Sequence, residues 1–204
     1  HVSDSHFCFA DDRDDERKLK LAADRSKYFS KGEKYFDAAL AYAQKKNALF
    51  LHTGDLIDFV SAQNLDVVRA KYDGADAFVS SGNHEFSLYV GEAREDAAYK
   101  ARSFDKVQAA YPNGLKLASR IVDGVNFVAF DDVYYNVTPE IWELFKAEVE
   151  KGLPIVAMCH VPFYTPELFK VAMAQPKAVC AYLTGVPDDE AKGFEPGRFQ
   201  QQRA

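Results

Sequence analysis

The chain has 204 residues, 48% of them hydrophobic, and no low-complexity stretch, so it is expected to close one sizeable core as a single domain over residues 1–204. Its formal charge of −6, from 25 Lys and Arg against 31 Asp and Glu, argues against a general nucleic-acid surface, which needs clustered basic residues; no apolar run reaches the roughly 18 residues a membrane span needs. Three irregularly spaced cysteines, Cys8, Cys159 and Cys180, do not make a disulfide framework and favour a reducing compartment, so a cytoplasmic location is the expectation.

His1-Val2-Ser3-Asp4 reads as the end of a strand whose earlier residues, with any targeting peptide, are expected upstream. The mixed-sign run Asp11 to Lys18 reads as a solvated loop or helix start. Ser30 to Lys46 places Tyr35, Phe36, Ala39, Leu40 and Ala43 at helical spacing, and Asn47 stops that helix. Ala48-Leu49-Phe50-Leu51 is a short apolar strand, covered on both faces, that leads into Gly54-Asp55. Leu65, Val68 and Tyr72 mark a second helix closed by Asp73-Gly74, and Ala77-Phe78-Val79 is the strand entering Gly82-Asn83. Glu92 to Tyr111 reads as one longer helix ended by Pro112-Asn113-Gly114. Ile121-Val122, Asp123-Gly124 and Val125 to Phe130 form a hairpin around a two-residue turn. Thr138-Pro139 caps a helix bearing Ile141, Trp142, Phe145 and Val149; Pro154 to Met158 is the strand that delivers His160, and Thr165-Pro166 opens another helix. The layout is α/β, without internal repeats.

Four short clusters stand where these strands end: Asp4-Ser5-His6, Gly54-Asp55-Leu56-Ile57-Asp58, Gly82-Asn83-His84-Glu85, and His160 in Cys159-His160-Val161-Pro162. Strand ends at one sheet edge can bring all four to one site. Two divalent cations about 3.5–4 Å apart can grip the oxygens of a phosphate and activate a bridging water. Like charges that close need an anion between them, and Asp55 is the best candidate. Asp4 and His6 stand at i and i+2 of a segment expected to be extended, so both side chains leave one face and can share an ion. Asn83 offers an amide oxygen and His160 an imidazole nitrogen to the second ion. Such an oxygen and nitrogen shell suits manganese, iron, zinc or nickel, among which the sequence does not choose.

Asp-x-His, Gly-Asp-x-x-Asp, Gly-Asn-His-Glu and a later lone His together resemble the calcineurin-like metallophosphoesterase family, over residues 4 to 160. The resemblance implies two sheets in a sandwich flanked by helices. It implies that Asp4, His6 and Asp55 hold the first ion while Asp55, Asn83 and His160 hold the second. His84 is then the cation or proton donor facing the phosphate and leaving oxygen, its ring oriented by Asp58 or a backbone group. Purple acid phosphatases carry a Tyr where Asp58 stands, and protein serine/threonine phosphatases follow the second motif with Arg-Gly where this chain has Phe59-Val60. Both labels are disfavoured, and Glu85 in place of the more usual Asp weakens a cyclic-nucleotide phosphodiesterase reading. What remains is a small phosphomonoester or phosphodiester substrate, with no nucleic-acid or membrane partner expected and the oligomeric state open. The alternative is a metal-binding or scaffold module on the same fold that does not turn over.

The family's fifth signature, Gly-His-x-His, has no counterpart, since no histidine follows His160. Phe199-Gln200-Gln201-Gln202-Arg203 reads as a helix start cut short, so the domain is expected to lack its C-terminal part. In that case each ion lacks one imidazole, and this form binds metal weakly and turns over slowly or not at all. Each residue also has an ordinary reading. Gly54-Asp55 and Gly82-Asn83 are common turn chemistry, His160 could be a buried, hydrogen-bonded histidine, His52 inside an apolar run reads as core or support, and Cys8 as an inert thiol.

Overall fold

A computed structural model describes residues 1–91, 96–175 and 181–187. Helix α1 (Glu16–Phe29) begins where the Asp15 carboxylate accepts the Lys18 N–H at 2.9 Å, and α2 (Gly32–Lys45) turns Phe36, Leu40 and Ala43 inward. Strands β1 (Phe50–Thr53) and β2 (Ala77–Ser80) pair in parallel across α3 (Ala62–Tyr72). On the free side of β1, Val2 makes a parallel bridge to His52. A 3₁₀ turn, His84–Phe86, and two short helices, α4 (Ala97–Ala101) and α5 (Phe104–Gln108), lead to the second sheet. There β3 (Leu117–Val122) and β4 (Val125–Phe130) form an antiparallel hairpin. Across α6 (Pro139–Val149), β5 (Ile155–Met158) joins β4 in parallel, and α7 (Pro166–Met173) follows. At the hairpin turn Asp123 and Gly124 both have positive φ, 49° and 79°, as a two-residue turn matched to strand twist requires.

Alternation along the strands builds the layers. Leu51 and Phe78 of the first sheet meet Phe127, Ala129 and Met158 of the second, while Phe50 and Val79 face outward against Phe36, Leu65, Val68 and Val107. Val128 and Phe130 cover the other side of the second sheet with Ile141 and Phe145 of α6. The result is an α/β fold with two small sheets packed face to face and helices outside both. Among the described residues no helix is long and apolar enough to cross a membrane.

Two local expectations differ. The helix expected over Glu92 to Tyr111 is two helices: Ser103 is buried, and its hydroxyl donates to the Phe86 carbonyl at 3.2 Å and the Lys100 carbonyl at 3.4 Å, turning the chain between α4 and α5; residues 92–95 lie outside the described residues. The segment holding Asp4 and His6 is not extended at those residues, whose φ angles are +57° and +47°. The charged run from Asp11 to Lys18 holds a helix start, one of its two readings: α1 begins at Glu16 and runs for 14 residues. The stretch Phe199 to Arg203 lies outside the described residues.

His52 is 1% exposed against the Phe36 ring; its Nε2 meets the Ser5 hydroxyl at 3.3 Å and its Nδ1 has no hydrogen-bond partner among the described residues. Burial pulls its imidazole from the ordinary 6.5 to about 3. The native state therefore refuses a proton that the unfolded chain accepts below pH 6.5, so this residue makes stability fall with pH from about 6.5 down to about 3. Each pH unit in that window costs about 1.4 kcal/mol from this group. Urea unfolding at pH 7 and pH 5 should show the loss, and His52→Gln should flatten the slope. Equal slopes in the two proteins would refute the assignment.

Candidate metal centre

The N-terminal segment is zipped onto the loop after β1 by the N–H groups of Asp4, His6 and Phe7, which donate to the carbonyls of Gly54, Asp55 and Leu56 at 3.0, 3.0 and 2.7 Å. Asp55 itself has φ +56°, so Asp4, His6 and Asp55 all occupy the left-handed region. Such strain concentrates at functional sites. It also explains how Asp4 and His6 face one point without the pleat of a strand: two left-handed residues re-aim both side chains.

The Asp55 carboxylate is central. Its Oδ1 accepts the His84 N–H at 3.0 Å, and its Oδ2 lies 3.7 Å from His6 Nε2 and 3.3 Å from His160 Nε2. Asp4 Oδ1 stands 3.8 Å from the same His6 nitrogen. Donors sharing one ion at about 2.1 Å are separated by roughly 3–4 Å, depending on their angle, so these spacings fit cation ligands. Asp4, Asp55 and His160 also offer atoms that all lie within 4.8 Å of one another. Asn83 starts the 3₁₀ turn, half-buried, with no hydrogen bond to its side-chain amide among the described residues.

Two glycines make the spacing possible. A Cβ on Gly82 would fall 2.2 Å from Asp55 Oδ1, and one on Gly54 would fall 2.5 Å from the Gly82 nitrogen and 2.7 Å from His160 Nδ1. Only glycine allows this approach. Glu85 then ties the two loops together: fully buried, its carboxylate accepts the N–H groups of Asp55, Leu56 and Gly82 at 2.8, 2.7 and 2.6 Å and the Tyr111 hydroxyl at 2.8 Å. The Gly-Asn-His-Glu motif marks this residue, but its task as an anchor for both loops is visible only in three dimensions.

Each imidazole is oriented by an acceptor at Nδ1, which fixes that nitrogen as the N–H donor. His160 Nδ1 donates to the Thr53 carbonyl at 2.8 Å, His84 Nδ1 to the Asp58 carbonyl at 2.7 Å, and His6 Nδ1 to the Asp58 carboxylate at 2.9 Å. The backbone of Asp58, rather than its side chain, thus orients His84; the carboxylate orients His6. His6, Asp58 and His84 also lie within 4.8 Å of one another, but the donor hydrogens of the two rings fill the space between them, so they form a hydrogen-bonded network. Asp132, which no motif flags, is fully buried and holds the loop of His160: it accepts the His160 and Val161 N–H groups, each at 3.1 Å, and the Thr184 hydroxyl at 3.1 Å. Arg25 of α1 is the other unforeseen residue, a bidentate partner of Asp58.

Electrostatics follow the geometry. Burial pulls the His6 and His160 rings down, but the surrounding carboxylates outweigh it, Asp4 and Asp58 for His6 and Asp55 for His160, and raise them to about 9 and about 10. The neighbouring His6 ring holds the Asp4 carboxyl down at about 2. Burial raises Asp58, but Arg25 and His6 overcome it and leave it at about 2. The centre thus gathers anions that want cations beside them. Burial pushes the Cys8 thiol up to about 12, and it donates to the His6 carbonyl at 3.2 Å, as an inert neutral thiol would.

The sequence profile described as calcineurin-like phosphoesterase matches residues 1–185. Among curated proteins, none matches the chain.

Proposed function

Because the chain belongs to the calcineurin-like phosphoesterase family, we propose that it is a metal-dependent phosphoesterase hydrolysing phosphomonoesters or small phosphodiesters. In this reading Asp4, His6 and Asp55 hold one divalent ion and Asp55, Asn83 and His160 hold a second, with Asp55 shared. Manganese, iron, zinc or nickel would suit the shell. When bound, the ions supply Lewis acidity toward the phosphoryl oxygens and lower the pKa of a water.

The chain's own groups do the rest. Asp55, held from below by Glu85 and from the side by His84 N–H, keeps its Oδ2 between two imidazoles. Thr53 and Asp58 hold the Nδ1 protons of His160 and His6, so each ring turns its Nε2 toward Asp55. The observation that carries the catalytic reading is His84. Its Nδ1 is committed to the Asp58 carbonyl and it stands outside the Asp4, Asp55, His160 group, which leaves Nε2 to bind the phosphate and pass a proton to the leaving oxygen. A module that only binds metal has no use for an imidazole held in this way.

The test is a panel of phosphomonoesters and phosphodiesters assayed with manganese, nickel, zinc and magnesium separately, each at saturating metal. Slow turnover of one ester class with one or more of these ions, reached only at saturating metal, is the expected result. Protein shown to carry two ions and yet unable to hydrolyse any ester would leave the non-catalytic module as the correct reading.

A further inference from the structure

The carboxylate of Asp58 is fully buried, and a buried carboxylate is costly to keep ionised without a cation and hydrogen-bond donors. Arg25 supplies both. Its Nε donates to Oδ2 at 2.6 Å and its Nη2 to Oδ1 at 2.8 Å, the side-by-side arrangement that a planar guanidinium makes and an ammonium cannot. Oδ1 is also the atom that accepts His6 Nδ1–H. One turn further along α1, at i+4 and so on the same helix face, Phe29 stacks on the His6 ring at 4.4 Å and 18°. The guanidinium in turn lies 5.1 Å from the Phe29 ring centre. His6 is thus held on its face by α1, at its Nδ1 edge by an acceptor that α1 grips at both oxygens, and against the edge of His84 at 4.7 Å.

We infer that α1 is a positioning element of the metal centre and that Arg25 is its principal residue. By fixing both oxygens of Asp58 in place, Arg25 keeps the His6 Nδ1–H anchored and its Nε2 turned toward Asp4 and Asp55. Through the same residue it steadies the carbonyl that orients His84. Without the guanidinium nothing on α1 fixes the Asp58 carboxylate, and His6 loses its anchor. None of the four motifs includes Arg25 or Phe29; both lie between the first motif and the second.

The inference rests on the proposed function only where turnover is measured, and two readouts stand apart from it. The first is the low-field Nδ1–H proton of His6 in the metal-free protein, seen by NMR and protected from exchange by Asp58. The second is the affinity for Zn²⁺ alone, by calorimetric titration. Arg25→Ala should lose the protected proton and bind Zn²⁺ about 10–100-fold more weakly, the usual cost of removing a group that orients a ligand. Added guanidinium should restore both in part, and Arg25→Lys should fall between. In turnover, kcat should drop with KM near the wild-type value. An unchanged ring proton and unchanged Zn²⁺ affinity in Arg25→Ala would overturn the proposal, as would a rise in KM alone, which would make Arg25 a contact to the substrate phosphate. Should Arg25→Ala fail to fold, Arg25→Lys decides: an exchange-broadened His6 proton with weakened Zn²⁺ binding supports the role, and wild-type behaviour refutes it. If the wild-type protein hydrolyses no ester, the functional reading falls, while the ring proton and the Zn²⁺ titration still settle the role of Arg25.

Discussion

Asp55→Asn is expected to strip the protein of bound metal and abolish hydrolysis while leaving the chain folded. The substitution keeps the shape of the side chain and an oxygen to accept the His84 N–H, so the packing of the two loops survives. It removes the negative charge that lies between His6 and His160 and that, in the proposed centre, separates two cations. Two divalent ions without an anion between them repel across a gap of about 4 Å, and the shell left behind has one charged oxygen, Asp4, for both. Elemental analysis after gel filtration is the direct measurement, with circular dichroism to confirm the fold. Full metal content in the variant would rule out Asp55 as the shared ligand.

His84→Ala should give the opposite pattern. The ring is not among the Asp4, Asp55, His160 group, and its Nδ1 is tied to the Asp58 carbonyl. Metal content should therefore stay near that of the wild type while kcat falls by roughly 10²–10⁴, the range for a lost acid or base. Alkyl esters, whose leaving oxygens need a proton, should suffer more than activated aryl esters. Equal losses for the two would leave His84 with phosphate binding alone, and metal loss in step with rate would make it a ligand.

Much of the architecture is legible in the residues because it is locally encoded. Asp123-Gly124 specifies its turn, and Thr138-Pro139 and Thr165-Pro166 announce their helices, whose Ile141 and Leu168 N–H groups bond the threonine hydroxyls at 3.3 and 3.1 Å. The apolar runs before Gly54 and Gly82 place the site at strand ends for the same reason. What the sequence hides is settled by distant contacts. Arg25 meets Asp58 across 33 residues and Asp132 meets His160 across 28, with no periodicity or motif to link either pair. α1 shows few buried positions among its charges, so its stripe is faint; Ala22 alone is buried. The left-handed turns at Asp4 and His6 follow from pairing with the loop after β1, which no local rule foresees.

The hydrogen bond from His160 to Thr53 joins the end of β5 to the end of β1, and so crosses from one sheet to the other over 107 residues of chain. Every other residue of the proposed centre comes from the first half of the molecule. Of the proposed ligands Asp4, His6, Asp55, Asn83 and His160, only His160 follows a strand of the second sheet. Completing the proposed centre depends on the most sequence-distant hydrogen bond in the site and on Phe78 packing against Ala129 and Met158 between the sheets. In the proposed centre, then, a complete ligand set and a closed sandwich are one condition: the last ligand is placed only where the second sheet lies against the first.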